Sequence, residues 1–230
     1  MGRIILRGDT HGNAMQLETF FDWNDNNLTG EDIVIILGDF GIIWQDREKT
    51  TKILEILGSH KCQLAFVDGN HENFNLIKEM EIIIEWNGGR AGLLPGGIIH
   101  LLRGEIYNIN GKRIGVCGGA NSIDKYRRTE GISWWADEEI TKENIDELLS
   151  NVGNDTHLDI MLTHDCPAKM TKQVALFSGV NGAEISNSQK MLDIIDNSLK
   201  IDKWYFGHWH IDMKFDNKFE CLYNCYREVL

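Results

Sequence analysis

Five short apolar runs, each closed at its carboxyl end by a small cluster of polar, chemically reactive residues, constrain this chain more than any other feature of its sequence. The runs are RIIL at 3–6, IVIIL at 33–37, QLAFV at 63–67, LDIML at 158–162 and WYF at 204–206. They are too short for helices and carry no helical polar face, so they read as buried strands. The clusters are Gly8-Asp9-Thr10-His11-Gly12, Gly38-Asp39-Phe40-Gly41, Gly69-Asn70-His71-Glu72, Thr163-His164-Asp165 and Gly207-His208-Trp209-His210. Five of the eight histidines fall in them, whereas His60, His100 and His157 do not. One histidine at a strand end is ordinarily a satisfied packing or surface residue, but packing does not explain the same address used repeatedly.

Between the first three runs, residues 13–26 and 46–59 carry apolar side chains three and four apart and end on polar or glycine stops, which predicts crossover helices. Strand and helix in alternation argue for a parallel sheet, whose carboxyl-end loops share one crevice. Residues 82–117 differ: short isoleucine-containing runs and Asn110-Gly111 between EIYNI and KRIGVC predict an antiparallel section forming a second sheet. Residues 137–150, with acidic residues first and a stripe of Ile140, Ile145, Leu148 and Leu149, predict an exposed amphipathic helix, and 184–199 reads similarly. No repeat or linker divides residues 1–230, which are expected to form a single domain.

Asp-x-His and His-x-His place two donors on the same side of an extended segment, so both can face one metal region. Carboxylate oxygen with imidazole nitrogen suits Mn, Fe, Zn or Ni, and the lack of clustered thiolates argues against a closed structural zinc site. The formal charge of −12, from 23 Lys and Arg against 35 Asp and Glu, opposes non-specific attachment to polyanions. A phosphate-bearing substrate must therefore be held locally, and a divalent cation would reverse the sign of the field where it binds. The five cysteines are irregularly spaced and read as reduced thiols in or near a core; with no long apolar amino-terminal stretch, the expected compartment is cytoplasmic. No run approaches the roughly 18 apolar residues of a membrane span, so no membrane partner is expected.

As an ordered set, the five blocks resemble those of the calcineurin-like metallophosphoesterases: Asp-x-His, Gly-Asp, Gly-Asn-His-(Glu or Asp), a His and Gly-His-x-His. The resemblance implies an α/β fold, a four-layer α/β/β/α sandwich of two mixed sheets flanked by helices. It also implies a phosphoester hydrolase with two divalent metal ions, Mn being the ion expected in vitro. Asp9, His11 and His210 would hold one ion, Asn70, His164 and His208 the other, and Asp39 would bridge both. A metal-bridging hydroxide would attack phosphorus, with His71 assisting the leaving group. The group that orients His71 is left open among Glu72, Asp68 and Asp165, and Glu72 either does so or opens the following helix.

Protein Ser/Thr phosphatases of this superfamily continue Gly-Asp with Asp-Arg-Gly, where this chain has Ile42, Ile43 and Trp44. Gly38-Asp39-Phe40, Gly69 to Glu72, Arg113-Ile114-Gly115 leading to Gly118-Gly119, and Thr163 to Pro167 are similar to blocks of RNA lariat debranching enzymes, although Asp9 stands where many of those carry Cys. The expected substrate is a phosphodiester, a nucleotide or a short nucleic acid. Phosphomonoesters or phosphoproteins are the alternative, and a non-catalytic metal-binding scaffold is the second. Residues 118–135 hold Lys125, Tyr126, Arg127, Arg128, Trp134 and Trp135. They read as a phosphate-holding, ring-stacking loop, with Arg127 and Arg128 as substrate contacts, or as a solvated basic turn ahead of two packing tryptophans.

Overall fold

The computed structural model describes residues 2–44 and 46–229. Strand and helix alternate first: β1 (Ile4–Arg7), α1 (Ala14–Asn24), β2 (Ile33–Leu37), α2 (Arg47–Leu57), β3 (Gln63–Val67) and α3 (Phe74–Met80). Five strands follow with no α-helix between them: β4 (Ile82–Trp86), β5 (Gly89–Leu93), β6 (Ile99–Leu101), β7 (Ile106–Ile109) and β8 (Lys112–Cys117). Then come α4 (Lys142–Val152), β9 (His157–Thr163), α5 (Ala168–Ser178), α6 (Asn187–Ser198), β10 (Lys200–Phe206), β11 (Met213–Lys214), β12 (Phe219–Cys221) and β13 (Arg227–Glu228). Among the described residues, no helix is long and apolar enough to cross a membrane.

The strands form two mixed sheets, ordered β13-β1-β2-β3-β6-β5-β4 and β11-β12-β10-β9-β8-β7. Period-two alternation explains their stacking. In β2, Ile33, Ile35 and Leu37 pack against Ile114, Val116, Ile160 and Leu162 of the other sheet. Val34 and Ile36 turn the other way, onto Leu17 and Phe21 of α1 and Leu54 and Leu57 of α2. Because both faces are covered, β2 is apolar throughout and reads as an unbroken run. Ile145, Leu148, Val174, Leu192 and Ile195 of α4, α5 and α6 cover the second sheet over Met161, Trp204 and Phe206. Helices, sheet, sheet and helices thus make the four layers, and each fully buried aliphatic chain contributes ~1.5–3 kcal/mol.

Two expectations change. The section from 82 to 117 is antiparallel but is split: β4, β5 and β6 join the first sheet through the parallel β3–β6 pair, and only β7 and β8 enter the second. The hairpin itself forms as read, with Asn110 at φ 55 and Gly111 at φ 77, the left-handed conformations that a tight two-residue turn requires. The helix read over 137–150 begins only at Lys142, because Thr141 is its true N-cap and Asn144 reaches back to complete a capping box. Residues Ala136–Glu138 form a separate short turn of 3-10 helix. Glu138, which reads in the sequence as a first-turn acid, is fully buried and accepts the Trp135 N–H.

Candidate metal centre

The five clusters meet where the carboxyl ends of the two sheets face each other: β1, β2 and β3 deliver three of them, β9 and β10 the other two. Backbone hydrogen bonds lace the loops together. The amides of Thr10 and His11 donate to the Asp39 carbonyl at 3.1 and 2.8 Å, and that of Gly207 donates to the His164 carbonyl at 2.9 Å. The turns are sharp. Six described non-glycine residues have positive φ; Asn87 and Asn110 occupy hairpin turns, and the other four are His11, Asp39, His208 and His210. Such backbone is held only where the surroundings over-determine it, and it clusters at functional sites. Gly69 is required by proximity, since a Cβ there would lie 2.1 Å from Asp39 Oδ1.

On the solvent-facing side stand Asp9, His11 and His210. The Nε2 atoms of the two imidazoles are 2.9 Å apart although the residues are 199 positions apart in sequence. Asp9 Oδ2 lies 3.1 Å from His210 Nε2 and 3.7 Å from His11 Nε2. Asp9 Oδ1 is occupied by the His208 amide at 2.9 Å, but Oδ2 is buried with no hydrogen-bond partner among the described residues. A buried carboxylate oxygen whose nearest polar neighbours are imidazoles needs positive charge beside it, from an imidazolium or from a bound cation. The Asp9 carboxylate raises the pKa of His210, more than offsetting partial burial.

On the inner side, His164 is fully buried. Its Nδ1 donates to the Leu37 carbonyl at 2.8 Å, because a carbonyl can only accept, and this aims Nε2 at Asn70 Oδ1 and Asp39 Oδ1, each 3.2 Å away. A ring nitrogen anchored on backbone while the other faces a carboxylate is the arrangement of metal-bound histidines. The His208 ring is 5.0 Å from that of His164. Burial alone would lower the His164 pKa, but Asp39 opposite it outweighs burial and lifts it to about 10. Protons and cations therefore compete for this pocket. Asp39 lies between the two sides: Oδ1 faces His164, and Oδ2 is 3.7 Å from His11 Nδ1. Burial opposes its charge, yet His164, His71 and His208 hold its carboxyl far below the usual range. The buried Asp9 oxygen that makes no hydrogen bond of good geometry and the mixed carboxylate–imidazole donors together fit divalent first-row cations.

The His71 amide donates to Asp39 Oδ1 at 2.7 Å, and its ring is 5.3 Å from that of His11. None of the three expected partners touches the ring. Glu72 accepts the amides of Phe40 and Gly41 at 2.8 and 3.2 Å, so it holds the Asp39 turn, while Asn73, not Glu72, caps α3. Asp68 pairs with Arg103, and Asp165 accepts from the amide of Cys166, Gln189 Nε2 and Trp209 Nε1. The ring instead meets Arg128, whose Nη1 is 3.4 Å from His71 Nδ1. A guanidinium has no acceptor, so this contact puts the lone pair on Nδ1 and the proton on Nε2. Burial, with Arg128 and His11 nearby, lowers the His71 pKa despite the attraction of Asp39. Arg127 is not brought to the pocket; it is exposed, with its guanidinium 5.1 Å from the Tyr126 ring.

Two buried networks escaped the sequence reading. Asn70 Nδ2 donates to Ser122 Oγ at 3.1 Å, and Ser122 Oγ donates to Glu138, which turns the Asn70 oxygen toward His164. Ser122 lies in the segment read either as a phosphate-holding loop or as a solvated basic turn, and no spacing links it to Asn70, 52 residues away. Behind the His71 loop, His100 lies between Glu81 at 2.8 Å and Asp68 at 3.5 Å. Burial disfavours the imidazolium, but the two carboxylates raise the His100 pKa to about 9. Its contribution to stability is complete below the unfolded histidine pKa and is lost as pH rises through about 9. Denaturant titrations should therefore show wild type losing roughly 1–3 kcal/mol more than His100→Gln between about pH 6.5 and 9.5. Parallel stability curves would contradict this assignment.

Against known proteins, the family model of the calcineurin-like phosphoesterases matches residues 2–212. The chain is 27% identical over 190 residues to a lariat debranching enzyme of Entamoeba histolytica, covering 76% of this chain. It spans about half of that relative, 48% of its length. TT1561 of Thermus thermophilus, a solved structure 12% identical, superposes with a TM-score of 0.50 over 90% of this chain and 81% of that one, a likeness of fold alone. A family match over nearly all of a chain whose strand ends gather this donor set leaves one assignment: the chain belongs to the calcineurin-like phosphoesterases, which are metal-dependent phosphoester hydrolases.

Proposed function

We propose that this chain is a phosphodiesterase acting on substrates of the nucleotide type. Asp9, His11 and His210 would hold one divalent cation and Asn70, His164 and His208 a second, with Asp39 shared between them. Bound there, such cations would supply a water of lowered pKa and charge stabilisation for an in-line displacement. The chain's own residues do the rest. Asp39 sets the spacing of the two donor sets, and its Oδ1 also fixes the His71 loop through the amide. His71, its proton on Nε2 because Arg128 faces Nδ1, donates to the departing oxygen. Arg128, tied to Asp124 at 2.9 Å, contributes positive charge beside the transferring phosphoryl group.

The observation that carries the diester reading is the wall beside His71. Where phosphoprotein phosphatases of the superfamily place Asp-Arg-Gly, Ile42 and Ile43 are buried and Trp44 is half-buried. A doubly charged monoester loses a charged handle there, whereas a diester presents an ester arm that an apolar wall can accept. Similarity to a protein named lariat debranching enzyme supports the same reading. A screen of Mn-loaded protein against phosphomonoesters and 3′–5′ and 2′–5′ dinucleotides is expected to give diesters at least a roughly tenfold advantage in kcat/KM, equivalent to about 1.4 kcal/mol. A strict monoester preference would overturn the proposal, and no turnover with Mn, Fe, Zn or Ni would favour a non-catalytic scaffold.

A further inference from the structure

A cavity of about 450 Å3 opens beside the proposed reaction centre, between His11 and His71 at one end and Trp44 and α2 at the other. That volume lies within the roughly 300–1,000 Å3 typical of small-molecule sites. Its construction is uneven. His11 and His71 form the end nearest the paired donor sets, the loop after Asp39 supplies Ile42 and Trp44, and the first turns of α2 supply Lys49, Thr50 and Ile53. Trp135 packs edge-on against Trp44, with ring centroids 5.5 Å apart and an interplanar angle of 83°, which steadies the indole. Lys49 pairs with Asp46 at 3.3 Å, but both side chains are more than half exposed. So weak a surface pair leaves the ammonium available to an incoming anion.

From these walls we infer that the cavity is a nucleobase subsite: one ester arm of the substrate places its ring against Trp44 between Ile42 and Ile53, with Lys49 at the phosphate or ribose. This rests on the phosphodiesterase reading for its orientation toward His71. An indole with aliphatic neighbours selects a planar ring, because every base offers a π-face and the Trp44, Ile42 and Ile53 side chains bring no hydrogen-bond acceptor to a base edge. The net charge of −12 disfavours long polyanions, so the ligand is a mononucleotide arm and not an extended strand. Sequence preference for one base over another is accordingly expected to be small.

Binding separates this inference from catalysis. Affinities of adenosine 5′-monophosphate and of ribose 5-phosphate, which lacks the base, would be measured by calorimetry on Mn-loaded wild type, Trp44→Ala and Trp44→Phe. Wild type is expected to bind the nucleotide about tenfold more tightly than the sugar phosphate. Trp44→Ala should abolish that margin through the nucleotide alone, and Trp44→Phe should retain most of it. Equal affinities in wild type, or equal losses for both ligands in Trp44→Ala, overturn the subsite while leaving hydrolysis untouched. If wild type hydrolyses no phosphoester but the margin and its loss are seen, the subsite stands and the hydrolase reading fails. Near-ultraviolet circular dichroism matching wild type establishes that each variant is folded.

Discussion

Asp39→Asn is expected to lower phosphodiester turnover by about 10³-fold or more and to reduce metal content below two ions per chain. Asparagine is the informative replacement for three reasons. Asp39 sits at φ 48, a conformation that asparagine tolerates and alanine resists. The amide oxygen can still accept the His71 N–H, now 2.7 Å from Oδ1, so the loop that carries His71 keeps its anchor. The charge that faces both His164 and His11 is what disappears. Metal analysis by mass spectrometry and steady-state rates on a dinucleotide check the two halves of this expectation separately. A variant that retained two ions and more than about a tenth of wild-type turnover would remove Asp39 from the shared position.

His71→Ala should show a different signature, a loss of about 10²–10⁴-fold in kcat on substrates with a ribose leaving group at unchanged metal content. The loss should be far smaller on bis(4-nitrophenyl) phosphate, because nitrophenolate departs without a proton. This contrast follows from the contact with Arg128, which leaves the His71 proton on Nε2. Equal losses on both substrates would mean that His71 serves only to support the loop. The His71 side chain is half-buried and its anchoring bond uses the backbone amide, so removing the ring leaves the Asp39 contact available. Rates extrapolated to saturating substrate distinguish lost chemistry from lost binding.

Much of the architecture was legible because it rests on local periodicity. IVIIL and QLAFV are β2 and β3 residue for residue, and the two crossover helices lie inside their expected ranges, α1 and α2 opening on the caps Asn13 and Asp46. Apart from the division of residues 82–117 between the two sheets, the differences fell where a polar residue had two uses. Glu138 looked like the acid of a helix start and is instead buried against Ser122 and the Trp135 amide. Glu72 read either as one of three candidate partners for His71 or as the acid opening the next helix, and instead holds the turn of Asp39. In each case the tertiary structure supplied an unsatisfied donor that the neighbouring sequence does not contain, and burial made pairing with it obligatory.

Sequence alone determined which donors this protein owns and that each stands at the carboxyl end of a strand, since alternation along a strand and the glycine-led turn after it are properties of a few consecutive residues. Only the packing of two sheets decided that Asp9 Oδ2 would be buried beside His11 and His210, that Asn70 would be turned by Ser122, and that Arg128 would meet His71. Those contacts join loops from different parts of the chain, and strained backbone at His11, Asp39, His208 and His210 is held there by the surrounding fold. Their geometry is set by long-range packing forces that no local pattern of residues encodes.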